Sequence, residues 1–83
     1  MESYTQKFDF LSAKDIENRR ILGDVFRSLE EKGYNPINQI VGYLLTEDPT
    51  YITNHNKART LICRLEREEL LRSMVVNYLL QEN

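Results

Sequence analysis

The side chains that could do chemistry in this chain are few. They are one histidine (His55), one cysteine (Cys63), a hydroxyl run Ser3-Tyr4-Thr5 and thirteen carboxylates. A side-chain nucleophile needs a base within hydrogen-bond reach. His55 and Cys63 fall on one expected helix eight residues apart, slightly over two turns and beyond each other's reach. His55, near that helix's start, reads as a solvated surface residue, and Cys63, beside Ile62, as a partly buried packing residue. Two such ligands are too few for a zinc-type site, so neither a metal nor a cofactor is expected. Glu30/Glu31 and Glu66/Glu68/Glu69 are interleaved with Lys and Arg. That is the pattern of solvated helix faces laced by pairs such as Arg64 with Glu68. Three glycines cannot build a phosphate-cradling loop. The chain reads as a non-enzyme. The hydroxyl run is different, because a kinase needs an accessible acceptor and termini supply one. A phosphate there would add about −1.5 to −2 charges.

The elements that must position these residues are helical. Residues 1–14, "MESYTQKFDFLSAK", lack a sustained helical stripe and read as a flexible N-terminal tail with Phe8 and Phe10 as an aromatic anchor. Residues 15–83 read as the helical domain. Ile21, Leu22, Val25, Phe26 and Leu29 share one helical face, which predicts a helix over about Asp15–Lys32. Gly33 then supplies a left-handed stop, with Tyr34 in the position that packs back on Leu29. Asn35-Pro36 is a cap followed by a first-turn proline, opening a second helix to about Thr46. Its stripe is Ile37, Ile40, Val41, Leu44 and Leu45. Asp48-Pro49 repeats the signal and predicts one short turn through Ile52. A third long helix is expected from Thr53 or Asn54, with Ala58, Leu61, Ile62 and Leu65 inward. The stripe then slips phase to Leu70, Leu71, Met74, Val75, Tyr78 and Leu79, which places a kink within Arg67–Glu69. The expected fold is all-α, a compact domain of four to five helices.

At 83 residues one small core is marginal. A lone cysteine excludes an internal disulfide and fits a reducing compartment, so self-association as a homodimer is expected to complete the fold. Ile37, Ile40, Val41 and Leu44 are assigned to core or dimer seam. Asn38, Gln39 and Tyr43 are needed neither for capping nor for filling a core. With Tyr34, Ile40 and Leu44 they form the candidate partner or dimer interface. No basic segment followed by an apolar run opens the chain, so no secretory signal is expected. The longest apolar run, "IVGYLL", is far short of the ~20 residues that span a bilayer. A cytoplasmic protein without a membrane partner is expected. The second helix, the turn and the third helix have the proportions of a helix-turn-helix. A small DNA-binding regulator is therefore the alternative reading. From Thr53 to Arg72, however, five basic residues stand against three glutamates. That excess is modest for phosphate contacts, and nucleic acid is disfavoured.

"EKGYNPINQIVGYLLTEDPTYI", followed by "ARTLICRLEREELL" and "NYLL", closely resembles the IreB family over about Arg27 to Leu80. These are small cytosolic regulators of Gram-positive bacteria. The resemblance implies an all-helical homodimer with a disordered tail. It implies phosphorylation of that tail on threonine by a membrane-anchored Ser/Thr kinase with cell-wall-sensing repeats, and dephosphorylation by a partner phosphatase. The implied role is negative control of cephalosporin resistance and so of the cell-envelope stress response. By its "TQKFDF" context, the phosphoacceptor carries over to Thr5. A second threonine found in relatives is Glu2 here, which argues for a single phosphate. Thr53 stands where relatives often have proline, which bears on where the third helix starts.

Overall fold

Ser12 opens the fold. In the computed structural model, which describes residues 12–80, its hydroxyl accepts a hydrogen bond from the Asp15 N–H at 3.2 Å and starts helix α1, Ala13–Glu31. That is two residues ahead of the expected start, because the cap decides the boundary. Ile21, Val25 and Leu29 on α1 are fully buried, with Leu22 and Phe26 half-buried beside them. The helix ends as expected. The Tyr34 N–H donates to the Leu29 carbonyl at 3.0 Å and the Gly33 N–H to the Glu30 carbonyl at 2.9 Å. This is a Schellman closure that needs Gly33 at φ +84°.

Helix α2, Pro36–Thr46, begins with the Asn35 side chain accepting from the Asn38 N–H at 3.1 Å and Pro36 in the first turn. Asp48 then caps a 3₁₀ turn at Pro49–Tyr51, accepting from the Thr50 N–H at 3.0 Å and the Thr50 hydroxyl at 2.7 Å. Ile52, which follows, is fully buried.

The long third helix expected from Thr53 does not form. A second 3₁₀ turn at His55–Lys57 carries Asn56 (φ 55°) and Lys57 (φ 60°) in the left-handed region. Only then does helix α3, Ala58–Ile62, run for five residues. Asn tolerates that conformation better than most residues. The Asn56 amide also donates to Glu31 at 3.2 Å, which ties the turn to the end of α1. The next break falls at Cys63–Glu66, earlier than the expected kink, and helix α4 spans Arg67–Leu80. Asn18 on α1, 1% exposed, explains the position. Its carbonyl oxygen accepts from the Glu66 N–H at 2.9 Å while its amide donates to the Glu66 carbonyl at 3.0 Å.

α1 is the central element, touching α2, α3 and α4. The core joins Ile21, Val25 and Leu29 to Tyr43, Leu44, Ile52, Ala58, Ile62, Leu65 and Leu70. Each large aliphatic buried there contributes about 1.5–3 kcal/mol. No strand occurs among the described residues, so the fold is all-α, with four α-helices. None of these helices is long and apolar enough to cross a membrane.

Candidate interaction surface

Five of the six residues assigned to an interface lie on α2 and Tyr34 just before it, and the structure separates them. Tyr34 is half exposed as the last residue of the Schellman closure. Asn38 is exposed, and its backbone N–H is taken by the Asn35 cap. Gln39 has a structural task that periodicity does not show. Its amide donates to the Tyr51 carbonyl at 2.8 Å and fixes the Pro49–Tyr51 turn against α2. Ile40 is half-buried against the core, and Tyr43 and Leu44 are members of the core. Burial pushes the Tyr43 phenol above its ordinary pKa.

The inward face of α2 is therefore turned from the expected stripe. Positions 40, 43 and 44 point in, while the apolar stripe runs through 37, 40, 41, 44 and 45, of which 37, 40, 41 and 44 were expected in core or dimer seam. At about 100° per residue this is a rotation of roughly 70°. Its consequence is an exposed apolar row, with Ile37 at 59%, Val41 at 46% and Leu45 at 80% exposure, and Tyr34 preceding it by one turn. Gly42 is part of the cause. A Cβ there would collide with the Tyr51 ring, so the turn packs where α2 has no side chain.

α4 departs from expectation in the same sense. Leu70 is its buried apolar residue, while Leu71, Met74, Val75, Tyr78, Leu79 and Leu80 are all exposed. A helix apolar on so many sides matches neither a solvated surface helix nor a buried one. The end of α2 is joined to the start of this helix through Arg67, which donates to the Leu44 carbonyl and to Glu47, both at 2.5 Å. The sequence signal was present in the density of apolar residues after Leu70.

The polar chemistry of the surface is largely self-satisfied. His55 is not a free surface residue. Its Nε2 lies 2.7 Å from Glu31 Oε1, and this bond is the main cause holding the Glu31 carboxyl below its usual range. Cys63 is exposed instead of partly buried, its thiol donating to the Arg59 carbonyl at 3.4 Å. Arg64 pairs with Glu17 at 3.2 Å across to α1, and Glu68 takes Arg72 at 3.1 Å. The expected Arg64–Glu68 pair is replaced. Arg19 and Arg20 are engaged with Asp15 (3.1 Å) and with Glu17 (2.7 Å). Arg59 donates to the Ile52 carbonyl at 2.9 Å. Among the described residues no cluster of three or more His, Cys, Asp or Glu is placed to hold a metal ion. Thr5 and the rest of the expected tail before Ser12 lie outside the described residues.

Among the described residues the arrangement presents an apolar row on α2 and an apolar face on α4. A family model described as the IreB regulatory phosphoprotein matches residues 3–80 of the chain.

Proposed function

The chain belongs to the IreB family of regulatory phosphoproteins, and from that premise we propose that it acts as a cytoplasmic, non-enzymatic homodimer switched by one phosphate on Thr5. The phosphate is placed by a membrane-anchored Ser/Thr kinase and removed by its partner phosphatase. The output is negative control of the cell-envelope stress response and with it of cephalosporin resistance. The observation that carries this reading is the extent of the family match, which begins before Thr5 and runs to the end of α4.

The dimer draws on surface that a monomer leaves exposed. Tyr34, Ile37, Asn38, Val41 and Leu45 form its α2 side, with Ile40, Tyr43 and Leu44 supporting that row from the core beneath. A stable interface takes about 800 Å² from each partner, a modest part of the 6022 Å² the chain exposes. The DNA-binding alternative gains nothing from the geometry. The helix that would enter a groove has five residues, and Arg59, Arg64 and Arg67 are already bonded to the protein.

The test is intact mass after incubation with the organism's cell-wall-sensing kinase, with the phosphate mapped by fragmentation and Thr5→Ala run alongside. One phosphate on the wild type and none on the variant is the expected result. No phosphate, where a control substrate is labelled, removes the switch.

A further inference from the structure

α4 has a second face. Leu70, Met74 and Asn77 recur once per turn and, with Leu22 and Arg19 of α1, line a groove of about 330 Å³ between the two helices. The Leu71, Val75 and Tyr78 side lies about 100° further round the helix, so this groove is not the surface offered to a second copy. The buried polar group at its base is already paired. Asp15 accepts from the Ser73 hydroxyl at 2.9 Å and from Arg19 Nε at 3.1 Å. The open apolar part of the groove is Leu22, half-buried, and Met74, 45% exposed.

We propose that this groove is the docking site of the chain's own N-terminal segment, with Phe8 and Phe10 as the groups that enter it. The described chain begins at Ser12, the cap of the helix that forms one wall. Phe8 lies four positions before Ser12, a reach of up to about 14 Å when extended. From Ser12 to Leu22, the far end of the α1 side of the groove, is about 15 Å along the helix, which an extended segment covers with the length of the Phe8 side chain added. In an extended segment alternate side chains share a side, so Phe8 and Phe10 face the groove together and Lys7 and Asp9 face outward. Asp9 then falls beside Arg19, whose side chain is 63% exposed at the rim. The polar rim of Arg19 and Asn77 suits a peptide backbone, and the volume suits aromatic side chains better than a second helix.

Docking deepens the proposed function, on which its regulatory meaning rests: the segment that binds the groove is the one a kinase must capture. The docking itself is read without any kinase, so its failure would leave Thr5 phosphorylation standing, and the reverse also holds.

The experiment uses the full chain with Cys63→Ser and a nitroxide on Gln6→Cys, observing methyl relaxation. The Leu22, Leu70 and Met74 methyls are expected to broaden several-fold more than those of Ile37, Val41 and Leu45. Phe8→Ser with Phe10→Ser should abolish that difference while the helical circular dichroism is retained. Equal broadening, or a difference that survives the double substitution, overturns the proposal. So does broadening seen only in nitroxide-free chains mixed with labelled ones, which would place the segment on a second copy.

Discussion

Asn18 closes the backbone of another segment with a side chain. Its amide gives Glu66 both an acceptor for its N–H and a donor for its carbonyl, at a position where water has no access. Removing one partner of a buried bond leaves the other to bear its desolvation. Asn18→Ala is therefore expected to cost about 1–3 kcal/mol of unfolding free energy, measured by denaturant titration. Asn18→Asp should rescue little, because a carboxylate accepts from the N–H but cannot donate to the carbonyl. Asp48 shows how a surface cap writes itself into pH dependence. The Thr50 hydroxyl, and then the Thr50 N–H, hold its carboxyl below the ordinary aspartate value. A carboxyl whose folded pKa is lowered stabilises above its unfolded pKa of about 3.9 and loses that contribution as pH falls through the folded value. Thr50→Val removes the larger cause. The Asp48 carboxyl carbon should then titrate at higher pH by NMR. The gap in melting temperature between wild type and variant should shrink from about pH 6 to about pH 2.

At the scale of elements, two glycines do different work. Gly33 sits at φ +84° with open space where a Cβ would go, so Gly33→Ala acts through the backbone alone. A left-handed non-glycine residue costs about 1–3 kcal/mol. Gly42 is ordinary helix, but its Cβ would meet the Tyr51 ring. Gly42→Ala must displace that ring or the turn held by Gln39, at about 1–3 kcal/mol for overpacking. The two variants separate by partner. Tyr51→Ala should recover much of the loss in Gly42→Ala and none of the loss in Gly33→Ala, read as melting temperatures in a double-mutant cycle. Local signals made several of these elements legible in advance: the Gly33-Tyr34 stop, the Asn35-Pro36 start and the Asp48-Pro49 turn each involve residues within five positions of each other. The short α3 was not legible. Its boundaries depend on left-handed Asn56 and on Asn18, 48 residues from Glu66.

For the whole molecule, the exposed rows on α2 and α4 make oligomeric state the decisive observable. Ile37→Asp with Val41→Asp changes residues that pack little within one chain, and surface substitutions usually stay within about 0.5 kcal/mol of monomer stability. Sedimentation equilibrium is expected to show the wild type as a dimer and this variant as a monomer of unchanged helicity. An unchanged dimer would move the interface off α2, to the α4 face first. Leu44→Asp, one position from exposed Leu45, should instead unfold the chain, because it places a charge in the core. The amino-acid sequence by itself determined the all-helical class, the caps and stops, the α1 stripe and the likeness to a regulatory family. Each follows from residues close in the chain or from residue types alone. Only the tertiary structure decided which side of α2 faces inward, where the third helix breaks, and that Gln39, His55 and Asn56 are structural ties. Periodicity shows which residues share a helix face. Which apolar face packs is set by partners distant in sequence, here α1 against Ile52 and Ile62, and no local pattern encodes them.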